Sequence, residues 1–323
     1  MNKREPLLHM NNLKTYFYTK DSTVRAVDGV DMKIYPKEIV CVVGESGSGK
    51  SVTSLSIMGL ISKTNGKIVD GNIFFNGEDL LKKSESELSG LRGNEMSMIF
   101  QEPMTALNPV LKIGDQMIEG YIRHTKSSKD TAYKRAIEML KFVSVPRAKE
   151  IMEEYPHQLS GGLRQRVMIA MMMMCDPKLL IADEPTTALD VTIQAQVLDL
   201  MKKMSRELDT AILLVTHDLG VVAEMADHVV VMYAGQVVET TDADTLFEEA
   251  IHPYTKGLMD SIPSIHEDTE KLNSIPGTVP DASNFPTGCR FANRCPLAQE
   301  QCFHKMPELR EIKPGHYIRC DIV

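Results

Sequence analysis

Gly44-Glu45-Ser46-Gly47-Ser48-Gly49-Lys50-Ser51 has the pattern G-x-x-x-x-G-K-[ST]. It follows a short apolar run, Glu38-Ile39-Val40-Cys41-Val42-Val43, and opens a helix-forming stretch from Ser51 to Leu60. Glycines let such a loop curl so that its N–H groups face phosphates, and the helix N-terminus adds a field that favours anions. In that arrangement Lys50 reaches the β- and γ-phosphates of a nucleoside triphosphate, and the Ser51 hydroxyl ligates Mg²⁺. A Gly/Ser-rich turn with a solvated lysine is the rival reading. It leaves the strand before the loop and the helix after it unexplained.

Leu179-Leu180-Ile181-Ala182-Asp183-Glu184 delivers two acids at the end of a buried strand, the edge where ligands bind in open parallel sheets. Asp183 suits Mg²⁺ held through its water shell, and Glu184 suits polarising the water that attacks the γ-phosphate. Leu159-Ser160-Gly161-Gly162-Leu163-Arg164-Gln165-Arg166 opens a helix with Ser160 as N-cap and two glycines that permit close backbone approach.

The elements that must position these groups alternate. Residues 7–43 and 68–81 read as strands and turns, with Asn76-Gly77 as a hairpin signal. From about 104 to 175 the pattern is helical, with apolar residues at 132, 136, 137, 140 and 143 near a 3.6 period. Lys178–Asp183, Ala211–Val215 and His228–Tyr233 read as buried strands, with an amphipathic helix from Thr192 to Leu208. This is an α/β chain with a largely parallel sheet and an inserted helical part. After about 260, prolines and glycines break the pattern into a small irregular appendix.

Composition excludes other classes. With 323 residues, 36 Lys+Arg, 44 Asp+Glu and a formal net charge of −8, the chain lacks the basic excess that coats nucleic acid. The longest apolar run, Val167 to Cys175, falls short of the roughly 20 residues a spanning helix needs, and no secretory signal opens the sequence. The expectation is a cytosolic protein, unless a partner holds it at a membrane.

The Ser160 run resembles the signature sequence of ABC-type ATPases, with Leu163 where Gln is commoner. Other segments fit the same family. Phe100-Gln101-Glu102-Pro103 resembles its Q-loop, Ala188-Leu189-Asp190 its D-loop, and Val215-Thr216-His217-Asp218 its switch-histidine segment. The resemblance implies an ABC-type nucleotide-binding domain: a RecA-like P-loop core with an antiparallel β subdomain and a helical subdomain. It implies ATP held by residues 44–51 and Asp183, with Mg²⁺ at Ser51, Gln101 and Asp183. Glu184, Gln101 and His217 would be catalytic. Phe17 would stack on adenine, with Tyr16 and Tyr18 as rivals. Ser160, Gly161, Gly162 and Leu163 would serve the ATP of an opposite subunit, touched also by Asp190.

Finer features resemble the D-type ATPases of oligopeptide and dipeptide importers. They are Gln101 to Pro109, His252-Pro253-Tyr254-Thr255, Ile275-Pro276-Gly277 and Gly288 to Pro296. The implied boundaries are an ATPase domain over 7–260, with helical part near 104–175, and a C-terminal extension over 261–323. The implied partners are a second ATPase as heterodimer, two membrane permeases and an extracytoplasmic peptide-binding protein, with this chain on the cytoplasmic face of the membrane and no nucleic acid. A nickel or other small-solute importer is the alternative. A soluble ABC protein acting on DNA or ribosomes fits less well, because the chain has one cassette and no long heptads.

Cys289, Cys295, Cys302 and Cys320 follow C-x5-C-x6-C-x17-C. Four thiolates suit zinc, but zinc pairs are usually spaced by about two to four residues, and none here is. Disulfides are disfavoured in a reducing compartment. A [4Fe–4S] cluster tolerates wider spacing, and the importer resemblance favours it. The expectation is therefore a cluster, with Zn²⁺ or free or oxidised thiols as the other readings.

Overall fold

The computed structural model describes residues 5–101, 107–187, 190–261 and 274–323. The chain forms two compact units, and it passes from the first to the second and back. The first unit begins with β1 (Leu8–Tyr18) and β2 (Thr23–Ile34), an antiparallel pair. On β1, Leu8 and Met10 and, after a register shift, Leu13 and Thr15 are buried, so the alternation of a strand with one face on a core resumes one residue out of step. Next come β3 (Ile39–Val43), α1 (Lys50–Ile57), β4 (Gly66–Phe75) and β5 (Glu78–Asp79). The antiparallel sheet has the order β2-β1-β4-β5. Asn76 and Gly77 both take positive φ, 49° and 79°, as a two-residue turn matched to strand twist requires.

The second unit carries α2 (Glu85–Leu91), capped by a reciprocal Ser84–Glu87 box, and then β6 (Met96–Ile99). A helical stretch follows: α3 (Ile113–Thr125), α4 (Lys129–Phe142), α5 (Ala148–Ile151) and α6 (Gly161–Met172). Its core includes Met117, Ala136, Ile137, Leu140 and Val167. Next come β7 (Leu179–Asp183), α7 (Val191–Glu207) and β8 (Ala211–Thr216), in the order β8-β7-β6. β6 and β7 are parallel, with Met98 opposite Ile181. Every residue of β6 and β7 is buried, which is why β7 reads in the sequence as an apolar run ending in Asp183.

The chain returns to the first unit within β8. It continues through α8 (Leu219–Met225), β9 (His228–Tyr233), β10 (Gln236–Asp242), α9 (Ala243–Glu249) and α10 (Pro253–Asp260). β9 runs parallel to β3 and antiparallel to β10. The tail holds the short helix α11 (Glu300–His304) and a hairpin of β11 (Arg310–Lys313) and β12 (His316–Ile318). That hairpin lies against β10, giving the order β11-β12-β10-β9-β3. Glu239 anchors it. Its carboxylate is fully buried, accepts the N–H groups of Ile251 and His252 at 2.8 and 2.9 Å, and meets His316 Nε2 at 2.8 Å. A buried carboxylate is tolerable only with such partners.

Candidate functional site

The loop from Gly44 to Ser51 joins β3 to α1 in the first unit. Two glycines set its path. Gly49 has φ 100°, and a side chain there would overlap the Ala26 carbonyl; Gly44 has φ 149° and would overlap that of Met232. The loop is therefore closed tightly against its own unit, and only glycine fits. Ser48 N–H donates to the Glu45 carbonyl at 3.2 Å, and Gly235 N–H to the Ser48 carbonyl at 2.9 Å. Lys50 is buried, and its Nζ donates to the carbonyls of Gly44 and Glu45 at 2.7 and 3.1 Å. Ser51 is the second residue of α1.

Of the three aromatic candidates, Tyr16 has its hydroxyl engaged. It donates to Asp28 at 2.7 Å, and burial together with that contact pushes its pKa up to about 12. Phe17 is half-buried, with its ring against Gly66, and Tyr18 is exposed. His217 is exposed, between Thr216 at the end of β8 and Asp218, which caps α8 through Gly220 N–H at 2.8 Å.

In the second unit Asp183 ends β7 and is buried. Glu184 follows with φ 48°, a left-handed backbone uncommon for a non-glycine residue and frequent at functional positions. Its Oε2 accepts from Gln101 Nε2 at 3.2 Å and from the Thr187 hydroxyl at 3.0 Å. Gln101 and Glu184, 83 residues apart in sequence, are thus brought together.

Ser160 caps α6 through Leu163 N–H, and Asp190 caps α7 through Ile193 N–H at 2.9 Å. Both helix N-termini open on one cavity of about 530 Å³, lined by Ser160, Gly161, Gly162, Leu163, Asp190 and Ile193. Ala188 and Leu189 of the D-loop, and Glu102 to Ala106 after the Q-loop, lie outside the described residues.

The four tail cysteines require a correction. Among the described residues, no three of His, Cys, Asp and Glu form a group that could hold a metal ion, so the expected [4Fe–4S] or zinc centre at Cys289, Cys295, Cys302 and Cys320 is not supported. Burial, with a smaller contribution from the neighbouring thiols, pushes Cys289 up to about 11, and burial raises Cys295. The Cys302 sulfur accepts from Gln299 N–H at 3.5 Å, and Cys320 is buried just beyond β12.

Several contacts were not visible in the sequence. Buried Gln165 binds the Pro185 carbonyl at 2.6 Å, Arg294 grips Glu45, and Arg290 pairs with Asp28. Tyr254 belongs to a segment the sequence did single out, but its bond to Glu45 N–H at 2.9 Å leaves no local signal.

A strand–loop–helix phosphate site and an acid-ended parallel strand define a nucleotide-hydrolysing α/β protein, and comparison with known proteins agrees. Residues 27–187 match the ABC transporter family, and residues 238–302 match the C-terminal region of oligopeptide/dipeptide transporters. The chain is 58% identical over 314 residues to the oligopeptide transport ATP-binding protein AppD of Bacillus subtilis, covering 97% of this chain and 96% of that protein. It is 49% identical over 317 residues to the dipeptide transport ATP-binding protein DppD of the same organism, covering 98% and 92%. Among solved structures, the ATP-binding cassette MJ0796 in a dimeric post-hydrolysis state bound to ADP and Pi is similar, with TM-score 0.65, 26% identity, and coverage of 73% of this chain and 98% of that one. The chain belongs to the ABC transporter ATPases, within their oligopeptide/dipeptide group. It has the nucleotide-binding cassette fold, binds ATP and hydrolyses it.

Proposed function

We propose that this chain powers the import of oligopeptides or dipeptides through a membrane transporter. The observation that carries the catalytic part is Glu184, set in left-handed backbone at the end of β7 with its carboxylate held by Gln101 and Thr187. The peptide part is supported by the C-terminal region and by relatives described as oligopeptide and dipeptide transport proteins.

Residues 44–51 bind the phosphates through backbone N–H groups and Lys50, while Phe17 stacks on adenine. Glu184 takes a proton from the water whose oxygen attacks the γ-phosphorus. The bond from that phosphorus to the β-bridging oxygen breaks, and ADP and phosphate leave. Gln101 orients Glu184 through its amide N–H and keeps Oε1 as an acceptor, and His217 contacts the γ-phosphate. The Ser51 hydroxyl, the Gln101 amide oxygen and the Asp183 carboxylate are hard oxygen donors, the set that suits Mg²⁺. That ion, when bound, neutralises charge on the β- and γ-oxygens.

A second ATPase completes the assembly. Ser160, Gly161, Gly162 and Leu163, with Asp190 beside them, serve the partner's ATP, a reading supported by the two helix N-termini that share one cavity. Two permeases dock on the helical stretch near 104–175, and a peptide-binding protein delivers the solute on the far side. We place the ATPase domain at 7–260 and the extension at 261–323; the family matches themselves span 27–187 and 238–302. No helix of the described residues is long and apolar enough to cross a membrane; the docking of this chain on permeases places it at the cytoplasmic face. Uptake of a labelled tripeptide by cells lacking this chain tests the reading. Restoration by the wild type but not by Glu184→Gln supports it. Normal peptide uptake with nickel uptake lost would instead favour the small-solute alternative.

A further inference from the structure

Arg294 sits in the C-terminal region and is almost wholly buried, with its side chain 5% exposed. A guanidinium has five N–H donors in a fixed fork, and here all five positions have acceptors. Nη1 donates to Glu45 Oε2 at 2.6 Å and to the Tyr233 hydroxyl at 3.3 Å. Nη2 donates to Glu45 Oε1 at 2.9 Å and to the Ile275 carbonyl at 3.3 Å. Nε donates to the Pro276 carbonyl at 2.8 Å. The bidentate pair with Glu45 is the geometry in which arginine differs most from lysine.

Glu45 is the second residue of the phosphate loop. Its N–H is held by the Tyr254 hydroxyl at 2.9 Å, and its carbonyl accepts from Ser48 N–H and from Lys50 Nζ. Tyr254 in turn stands in a buried aromatic cluster with Tyr233 and Phe291, ring centroids 4.6–5.4 Å apart. One loop residue is therefore fixed at its main chain and at its side chain from segments that lie more than 200 residues further along the chain.

We infer that Arg294 is a positioning residue for ATP: its five-point grip on Glu45, the Tyr233 hydroxyl and the 275–276 carbonyls holds the phosphate loop in the shape that presents its N–H groups to the phosphates. The C-terminal region thereby sets the nucleotide affinity of the ATPase to which it is attached. Preorganisation of this kind raises affinity because the loop is ordered before ligand arrives. The inference rests on residues 44–51 being the phosphate site.

The test is a double-mutant cycle on the full chain in the assembled transporter, reading KM for ATP, kcat, binding of a fluorescent ATP analogue, and thermal midpoint. Arg294→Ala should raise KM by about tenfold, the worth of one charge-assisted hydrogen bond, with kcat within about twofold. Glu45→Ala should do the same, and the double variant should be no worse than either single one. Arg294→Lys, which keeps the charge and loses the fork, should fall between. Arg310→Ala, in the same tail but bonded to the carbonyls of Cys320 and Val323, should leave KM unchanged. A KM for Arg294→Ala and Arg294→Lys within about twofold of wild type, or effects that multiply in the double variant, would overturn the inference. Lys50→Ala in the same assay separates the two layers. If it binds ATP normally, the phosphate-site reading itself fails and this inference with it. If it does not bind while Arg294→Ala is normal, the inference alone fails.

Discussion

Gln165 Nε2, buried on α6, donates to the Pro185 carbonyl at 2.6 Å. The helix that begins at Ser160 is thereby tied to the backbone one residue beyond Glu184. The helix proposed to serve a partner's nucleotide and the segment that carries the proposed base are thus joined by one buried hydrogen bond.

Gln165→Leu keeps the side-chain volume but leaves the Pro185 carbonyl without that donor. The expected cost is about 1–3 kcal/mol of stability, read as a lower thermal midpoint, together with a reduced kcat. An unchanged midpoint would show that the bond contributes nothing.

Phe17→Ala should raise KM for ATP by about tenfold, since a base–aromatic stack is worth about 1–3 kcal/mol. Tyr16→Phe should leave KM unaltered, because that hydroxyl is committed to Asp28. Burial raises the Asp28 carboxyl, but the Tyr16 hydrogen bond and the Arg290 guanidinium outweigh it and hold the pKa below the usual carboxylate range. The opposite pattern, with Tyr16→Ala damaging KM and Phe17→Ala silent, would reassign the stack.

His252 gives a pH signature. It is fully buried, and its Nδ1 accepts Tyr254 N–H at 3.1 Å, which a protonated ring could not do. Burial draws its pKa down to about 3; a hydrogen bond to the Arg319 backbone opposes this, and the Arg319 charge adds to it. The unfolded chain titrates near 6.5 and so takes up a proton that the folded chain refuses. Stability should therefore fall as pH drops from about 6.5 towards 3, by up to about 1.4 kcal/mol per unit. His252→Asn keeps a capping acceptor and removes the titration, so chemical denaturation between pH 7 and 5 should show a shallower slope. Equal slopes for the two proteins would contradict the assignment.

The elements that were legible in the sequence are those whose signals are local. The phosphate loop carries its own glycines and sits between Val43 and Lys50, so strand, turn and helix announce one another. β7 and β9 are apolar runs buried throughout or nearly so, and Asn76-Gly77 dictates its own turn. The contacts that hold the site were not legible, because they join distant segments. Arg294 and Glu45 lie 249 residues apart, and nothing near either one names the other. The tail cysteines illustrate the reverse error. Four thiols at a spacing a cluster tolerates, with the importer resemblance, suggested a ligand set, but among the described residues no such group could hold a metal ion. The β11–β12 hairpin was likewise hidden, since three or four mostly polar residues per strand give no clear alternation.

The most direct test of the account is ATP hydrolysis by Glu184→Gln in the assembled transporter, with the second ATPase's own site disabled. The amide introduced by that substitution would keep the contacts to Gln101 and Thr187 in outline but could not take the proton from water. Bound MgATP should be retained, while phosphate release falls by at least about a hundredfold, the usual contribution of a general base. Phosphate release at the wild-type rate from that single remaining site would contradict the assignment of Glu184 as the base.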